Sequence, residues 1–376
     1  ADLHLDAKMT AVLPPEKAKE RRNELLQTFL RMVDFAQRER VSAILIAGDL
    51  FDRNRISAKA GNAVLDAIRS HPDIVFFYVT GNHEGDGFIG SIDSVPANLM
   101  LFGPSWKTYE AGKISITGAD LAEGSRDELF RSLELDPLQF NIVLLHGQAV
   151  ENGSSGKPEL VDLSFFRNKS VDYLALGHIH SFQEDSLPPR GLWCCPGCLE
   201  GRGFDECGVH GFVLMEVNGK TQDVRREFVP FAQRRLWEIP VDVSGCMTTG
   251  EAADRIEEVL SGLQGNENSS PASGAGDVKG SVSGSGRISS GDLWKIILTG
   301  ETDVDSEIST GLLQKRFEDR CYFLKVKDQT TLHVDYRDYA LDASLKGEFV
   351  RLVSRDPSLE EQEKAEIIRC GIRALS

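Results

Sequence analysis

Side chains that can bind metal ions follow apolar, strand-like runs at four places in this sequence, and a fifth such group opens the chain. The five groups are Asp2-Leu3-His4, Gly48-Asp49-Leu50-Phe51-Asp52, Gly81-Asn82-His83-Glu84, His146-Gly147 and Gly177-His178-Ile179-His180. They contain five of the eight histidines of the chain. Because α/β folds place their sites beyond the carboxyl ends of strands, the pattern predicts an α/β fold in which the five groups meet at one site.

The residue types in these groups indicate a two-metal site. Carboxylate, imidazole and amide ligands suit manganese, iron or zinc. Two such ions about 3.5–4 Å apart can clamp the attacking and leaving oxygens of a phosphoryl displacement. One carboxylate must then bridge them. Asp49 is the natural candidate, because it stands at the end of the apolar run 43–47 and beside a glycine.

Single residues of these groups have other interpretations. Asn82 could be only a turn residue, because asparagine tolerates left-handed backbone, and Glu84 could be only a supporting carboxylate. Asp52 either orients a ligand or lies in the loop before a helix that Ser57 caps. A lone histidine such as His146 is often structural, so the prediction rests on the convergence of the whole set.

The order and spacing of the five groups resemble the calcineurin-like metallophosphoesterase family, whose pattern is D-x-H, G-D-x-x-D, G-N-H-[DE], a lone His and G-H-x-H. The resemblance covers residues 2–180. It implies that the site binds two divalent ions, with Mn²⁺ as the expected metal and Fe²⁺ or Zn²⁺ as the alternatives. It implies that one ion is held by Asp2, His4, Asp49 and His180, and the other by Asp49, Asn82, His146 and His178. His83 is implied to act in catalysis, by stabilising the transition state or protonating the leaving oxygen.

Composition bounds the compartment and the partners. No apolar run of about 18 residues occurs, so no membrane span is expected. The chain opens on a ligand group rather than a signal peptide, and a few residues of strand are expected before it. Seven cysteines, an odd count in a long chain, favour reduced thiols and a cytoplasmic location. The spacing Cys195-Pro-Gly-Cys198, within the cluster from Cys194 to Cys207, leaves a zinc site as a minor alternative to buried free thiols.

The net charge of −16 argues against nonspecific binding to nucleic acid, which requires a basic surface. Bound divalent ions would reverse the potential locally. The acidic charge of the chain therefore counts against a nucleic-acid substrate without excluding one.

Hydrophobic patterning predicts a two-sheet β-sandwich flanked by helices, followed by a smaller α+β part. A helix is expected over 16–40, and Asn218-Gly219 is expected to form a hairpin turn into a strand over 221–228. The other predicted strands of the first part are 43–47, 74–79, 113–117, 141–145, 171–176 and 212–217.

The predicted domains are a catalytic domain over 1–230, an α+β capping domain over 231–335 and a helical segment over 336–376. The capping domain includes a flexible Gly/Ser loop over 265–291, which contains almost no large apolar residue. Ser358 and Glu361 are expected to form the capping box of a final helix. Its stripe of Ile368, Ile372 and Leu375 could pack on the protein's own core or dock a partner.

The capping domain and the segment 345–353 narrow the resemblance to the SbcD-type nuclease subunits of bacteria. That resemblance implies a DNA repair nuclease with 3′-to-5′ exonuclease and single-strand endonuclease activity, an SbcC-type ATPase partner and a homodimer. The alternative is a metallophosphoesterase acting on a small phosphodiester, a cyclic nucleotide or a phosphoprotein.

Overall fold

The computed structural model describes residues 1–9, 13–52, 56–81, 87–121, 126–151, 159–264 and 287–375. These residues belong to two compact units, 1–233 and 234–376. The predicted site residues Asn82 and His83, and most of the predicted Gly/Ser loop, lie outside the described residues.

The first unit is built from strands and helices that alternate along the chain. Its described α-helices are α1 (Pro15–Arg38), α2 (Ala58–Ser70) and α3 (Arg126–Arg131). Its first seven strands are β1 (Ala43–Ala47), β2 (Val75–Val79), β3 (Leu99–Leu101), β4 (Lys107–Ala111), β5 (Ile114–Gly118), β6 (Phe140–Leu144) and β7 (Gln148–Val150). Six more follow: β8 (Leu160–Asp162), β9 (Tyr173–Ala175), β10 (Gln183–Leu187), β11 (Gly191–Cys195), β12 (Gly211–Val217) and β13 (Val224–Pro230).

Two sheets pack face to face in this unit. One is parallel, in the order β1-β2-β3, and the other has six strands in the order β10-β11-β9-β6-β5-β4. Phe77 and Val79 of the first sheet share one apolar cluster with Ile142 and Leu144 of the second. α1 and α2 cover the outer face of the first sheet, whereas α3 lies in the cluster on the other side of the second. The predicted sandwich flanked by helices is thus confirmed.

The strands that carry the polar groups pair in parallel. β1 pairs with β2, and β6 pairs with β9. Because parallel strands end at the same edge of a sheet, the residues after β1 and β2 lie together, as do those after β6 and β9. Both strand pairs are buried on both faces, which explains their continuous apolar sequences.

The last two strands of the unit form a separate antiparallel pair, β12-β13. Val213 and Met215 pack on the cluster between the sheets, so this pair extends the layer of the first sheet without hydrogen bonding to it. An apolar cavity of about 680 Å³ lies between β1 and β12, with Ala1 in its lining. The first layer is therefore composed of two pieces.

The predicted hairpin at Asn218-Gly219 is present, because β12 and β13 pair antiparallel, but its turn is longer than predicted. The strands are joined by residues 218–223, and the second strand begins at Val224. The Asn218 side chain accepts hydrogen bonds from the backbone N–H groups of Lys220 and Thr221. This local side-chain bonding favours the longer turn over a tight one.

The second unit has two small cores. Its strands are β14 (Leu236–Asp242), β15 (Leu293–Thr299), β16 (Glu301–Asp303), β17 (Phe323–Asp328) and β18 (Thr331–His333). Its helices are α4 (Thr249–Gln264), α5 (Thr310–Phe317), α6 (Leu345–Ser354) and α7 (Glu361–Leu375). The parallel sheet β14-β15-β17 packs with α4 and α5 around Trp237 and Trp294. β18, α6 and α7 enclose the other core, in which Ile368 and Ile372 are buried.

The predicted capping box of the last helix is wrong. Ser358 bonds to Asp356, two residues before it, and so does not cap the helix. Glu363 instead accepts a hydrogen bond from the backbone N–H of Glu360. Proline at position 357 supports a turn that occupies Ser358 locally. None of the described helices is long and apolar enough to cross a membrane.

Candidate metal centre

The first residues of the chain lie beside the loop that follows β1. The backbone N–H groups of Asp2 and His4 donate to the carbonyls of Gly48 at 3.2 Å and Asp49 at 2.9 Å. Asp2, His4 and Asp49 have positive φ angles of 52°, 43° and 49°, a conformation that costs about 1–3 kcal/mol outside glycine. All three side chains are buried. The fold therefore maintains local strain in order to present three candidate ligands together.

Glycines in two of the polar groups leave room for ligand side chains. A Cβ atom on Gly81 would lie 2.0 Å from Oδ1 of Asp49, and one on Gly48 would lie 2.3 Å from Nδ1 of His146. Gly48 also has a φ angle of 78°. Any other residue at these two positions would displace a candidate ligand, so the glycines belong to the site as much as the ligands do.

Two groups of candidate ligands lie side by side in the described part of the chain. One comprises Asp2, His4 and His180 and the other Asp2, Asp49 and His146, with the ligand atoms of each group within 4.8 Å of one another. Oδ2 of Asp49 lies 3.7 Å from Nε2 of His4 and 3.4 Å from Nε2 of His146. The two groups share Asp2, and adjacent groups that share a carboxylate are what a pair of divalent ions needs.

His178 belongs to neither group. Its ring lies beside that of His146, with 5.5 Å between the ring centroids. Its backbone N–H donates to both carboxylate oxygens of Asp2, at 2.8 and 3.0 Å. Asn82 and His83 lie outside the described residues, so their roles remain predictions.

The chemistry of His146 shows that a cation fits the site. Nδ1 of this ring bonds to the carbonyl of Ala47 at 2.8 Å and so carries the proton. Nε2 is buried and has no hydrogen-bond partner among the described residues, although Oδ2 of Asp49 is 3.4 Å away. A lone pair facing a buried carboxylate is unfavourable unless a cation joins them. Burial opposes protonation, but Asp49 and Asp2 raise the pKa of His146, which shows that the surroundings favour positive charge.

Three residues that support the candidate ligands were not predicted as site residues. Glu206 lies 2.7 Å from Nδ1 of His180, and Arg202 contacts both Glu206 and Asp52. Burial opposes ionisation of Glu206, yet hydrogen bonds from His180 and Arg202 hold its pKa far below the usual range. For Asp52, an orienting role was one of the two interpretations of the sequence. For Arg202 and Glu206, the sequence shows only that they follow the last polar group closely, which does not specify the residues they contact.

The neighbouring cysteines do not form a metal group. Among the described residues, no group of three mutually close ligand atoms includes Cys194, Cys195, Cys198 or Cys207. The thiol of Cys195 contacts the carbonyl of Ile179, and that of Cys198 lies 3.2 Å from Nδ1 of His210. Burial raises the pKa of Cys195 to about 11. Cys195 and Cys198 thus contact the backbone of the last ligand group through their thiols and do not act as zinc ligands.

Comparison with known proteins agrees with this geometry. The profile of the family described as calcineurin-like phosphoesterase matches residues 1–182. An uncharacterized metallophosphoesterase, YhaO of Bacillus subtilis, is 30% identical over 284 residues, which span 70% of this chain and 67% of that protein.

More distant matches were also found. A protein of Thermoplasma acidophilum named DNA double-strand break repair protein Mre11 is 22% identical over 66% of this chain and 69% of its own. A crystal structure of a dimetal phosphatase from Danio rerio aligns with a TM-score of 0.33 and 13% identity, over 51% of this chain and 82% of the other. The family match and the YhaO similarity, together with the paired ligand groups, show that the chain belongs to the calcineurin-like phosphoesterase family and is a metal-dependent hydrolase of phosphoester bonds.

Proposed function

We propose that the protein is a two-metal-dependent DNA nuclease that acts in DNA repair. The observation that carries the proposal is the pair of adjacent ligand groups, which share Asp2, with Asp49 of the second group 3.7 Å from His4 of the first. Relatives named DNA double-strand break repair protein Mre11 support DNA as the substrate. The proposed reactions are 3′-to-5′ exonuclease and single-strand endonuclease cleavage.

The proposed ligand roles follow the family pattern. Asp2, His4, Asp49 and His180 would hold one ion, and Asp49, Asn82, His146 and His178 the other. When bound, two divalent ions, for which we propose Mn²⁺, neutralise charge on the phosphoryl oxygens and activate water at neutral pH.

The side chains position the reaction. Asp49 is proposed to bridge the two ions, which its distances of 3.7 Å to Nε2 of His4 and 3.4 Å to Nε2 of His146 support. The hydrogen bond from Nδ1 of His146 to the Ala47 carbonyl leaves its Nε2 free to bind. His83 is proposed to protonate the leaving sugar oxygen, a general-acid role that typically contributes about 10²–10⁴-fold in rate.

A second candidate is hydrolysis of a small phosphodiester, a cyclic nucleotide or a phosphoprotein. The net charge of −16 favours it, because an acidic protein repels a polyanion more than a small substrate. The similarity to a metallophosphoesterase without an assigned substrate is equally compatible with it.

The experiment that tests the proposal is Mn²⁺-dependent cleavage of end-labelled duplex, single-stranded and hairpin DNA, beside bis-p-nitrophenyl phosphate. The Asp49→Asn variant should abolish all cleavage. Asp66→Asn, at an exposed position of α2, is the matched control and should retain it. Cleavage of the chromogenic diester without cleavage of any DNA would replace the nuclease with the second candidate.

We further propose that the C-terminal helices dock an ATPase partner of the SbcC type. Three leucines near or on α6 support this proposal, because Leu341, Leu345 and Leu352 are 96%, 71% and 72% exposed. Leu345 and Leu352 are seven residues apart and thus lie on one helix face. A Leu345→Glu/Leu352→Glu variant should lose binding to the purified ATPase in a pull-down and retain Mn²⁺-dependent activity.

Two further expectations complete the proposal. We propose a homodimer, which light scattering of the purified protein would test. We also propose a cytoplasmic location, which the odd number of cysteines, seven in a long chain, supports because it favours reduced thiols.

A further inference from the structure

The candidate ligands His4 and His180, which are 176 residues apart in the sequence, face each other. Nε2 of His4 and Nε2 of His180 are 3.3 Å apart, and the rings meet edge to face at 68°. Two imidazoles can share one cation in this way only if both carry their proton on Nδ1, which leaves both Nε2 lone pairs available. The structure must therefore fix the tautomer of both rings.

A carboxylate lies at the Nδ1 atom of each ring. Oε1 of Glu206 is 2.7 Å from Nδ1 of His180, and Oδ1 of Asp52 is 3.3 Å from Nδ1 of His4. An ionised carboxylate only accepts hydrogen bonds, so each position favours the proton on Nδ1. Nη2 of Arg202, which can only donate, also lies 3.2 Å from Nδ1 of His180, but it donates to Oε1 of Glu206 at the shorter distance of 2.6 Å and leaves this carboxylate as the partner of Nδ1. A carboxylate in this place also raises the basicity of a metal-binding histidine.

Arg202 joins the two carboxylates. Its Nη1 donates to Oδ1 of Asp52 at 3.2 Å, and its Nη2 donates to Oε1 of Glu206 at 2.6 Å. The backbone N–H of Arg202 donates to the other oxygen of Glu206 at 2.7 Å. The side chains of Arg202, Asp52 and Glu206 are 18%, 20% and 5% exposed, so solvent screens these contacts little.

The turn that carries Glu206 is itself fixed. Its backbone carbonyl accepts a hydrogen bond from Nε2 of His210, and Nδ1 of His210 lies 3.2 Å from the thiol of Cys198. The backbone N–H of Cys198 donates to the carbonyl of His180 at 3.1 Å. The supporting carboxylate and the histidine it orients are therefore held to one another through backbone as well as side-chain contacts.

We propose that Asp52, Arg202 and Glu206 are positioning residues that orient His4 and His180 together, so that these two ligands form one metal subsite as a unit. The inference rests on the proposed ligand roles of His4 and His180. The planar guanidinium of Arg202 donates to both carboxylates at once and so fixes their positions relative to each other. Loss of any member of the triad should affect this subsite first and leave the subsite of Asp49 and His146 in place.

The test is Mn²⁺ binding, measured by isothermal titration calorimetry and by electron paramagnetic resonance of the loaded protein. Wild type should bind two ions and give a spin-coupled signal. We expect the affinity for one of the two ions to fall by about 10–100-fold in each of Glu206→Gln, Asp52→Asn and Arg202→Met, which is the usual effect of removing a residue that supports a ligand. Arg202→Lys, which cannot bridge both carboxylates as a planar fork, should restore only part of the affinity.

Controls separate positioning from folding. Arg226→Met and Glu184→Gln alter an exposed Arg–Glu pair of the same unit and should bind both ions normally. The melting temperature in EDTA should be similar to wild type for Glu206→Gln and Asp52→Asn, whereas Arg202→Met should be lower because it leaves the buried Glu206 carboxylate without its counter-charge. Long-range ¹H–¹⁵N spectra should show the Nδ1-protonated tautomer of His180 in wild type but a mixture in Glu206→Gln.

Wild-type affinity for both ions in Arg202→Met and Glu206→Gln would overturn the inference. Equal weakening of the binding of both ions in Glu206→Gln, together with a lower melting temperature of this variant in EDTA, would also overturn it, because the triad would then be structural. These experiments measure metal binding and not DNA cleavage. If the protein binds two ions as described but does not cleave DNA, the proposed substrate is wrong and the inference about the triad stands.

Discussion

Arg21 and Glu200, 179 residues apart in the sequence, form a buried ion pair with a closest distance of 3.1 Å. Both oxygens of Glu200 are used, because Thr28 and the backbone N–H of Gln233 bond to the second one. The guanidinium also donates to the carbonyl of Gly201 at 2.7 Å. α1 is thus tied to the segment that leads directly into Arg202.

Replacing Arg21 should therefore destabilise the first unit. Arg21→Met leaves the Glu200 carboxylate buried without its main counter-charge, and breaking a buried pair in this way costs about 3–5 kcal/mol. Chemical denaturation followed by circular dichroism measures the loss. Arg69→Met removes an exposed arginine on α2 and should change the free energy of unfolding by less than about 1 kcal/mol. Equal effects of the two variants would contradict the assigned role of the buried pair.

Gly81→Ala should disable the centre. The new Cβ would lie 2.0 Å from Oδ1 and 2.4 Å from the backbone N of Asp49, so this residue must move away from His4 and His146. We expect at least a tenfold loss of Mn²⁺ affinity and of hydrolysis of a chromogenic diester. Gly90→Ala meets nothing within 4 Å and should keep both. Full activity of Gly81→Ala would show that the carboxylate does not need its observed position.

Mn²⁺ should raise the melting temperature of the wild-type protein. An ion that binds only the folded state stabilises it by about 2.7 kcal/mol at a hundredfold excess over its dissociation constant. Asp49→Asn weakens the ligand proposed to bridge the two ions and should remove most of the increase, as measured by differential scanning calorimetry with and without EDTA. An increase of the same size in Asp49→Asn would mean that the ion binds elsewhere.

Alkaline pH should destabilise the protein partly through Cys195. Burial raises the pKa of this thiol from 9.0 to about 11. The neutral thiol is favoured in the fold, so its contribution is complete below pH 9 and is lost as the pH rises toward 11. The free energy of unfolding should fall more steeply over this range in wild type than in Cys195→Ala, by about 2 kcal/mol.

A labelling experiment checks the same assignment. Cys370 is exposed and should react with iodoacetamide at pH 8, whereas Cys195 should stay unmodified until the protein unfolds. Mass spectrometry of the digested protein distinguishes the two sites. Rapid native modification of Cys195 would contradict its burial.

The two faces of the C-terminal helices should respond differently to truncation. Ile368 is fully buried against the second small core, and Ile368→Ala should cost about 2–5 kcal/mol. Leu352 is 72% exposed, so Leu352→Ala should leave stability unchanged and weaken only binding of a partner. Thermal unfolding measures the first effect and a pull-down the second. A stability loss in Leu352→Ala would place this face in the fold.

β1 was predictable from sequence, whereas β10 was not. β1 was predicted over the residues that form it, because 43–47 is an uninterrupted buried run between polar segments. β10 is largely exposed and reads Gln-Glu-Asp-Ser-Leu, which carries no strand signal on its own. It exists because β11 pairs with it. Pairing of this kind depends on tertiary structure and leaves no periodic pattern.

The candidate site was predictable at the level of ligands and less so at the level of support. Asp2, His4, Asp49, His146 and His180 are recognisable because each lies in a short group of metal-binding residue types. Arg202 and Glu206 act through contacts with Asp52 and His180 that no sequence spacing encodes. The structure brings together residues 150 positions apart at this point, and only the folded chain determines which carboxylate meets which imidazole.

The ligand groups also have a consequence for the mechanics of the chain. Their members stand at positions 2, 4, 49, 146 and 180, so a bound ion ties distant points of the first unit together. It acts as a reversible crosslink that closes long loops and restricts the unfolded chain. Chelation should then expose the whole of this unit to protease in one step, whereas the second unit, which contributes no member to either group, should be cut at an unchanged rate.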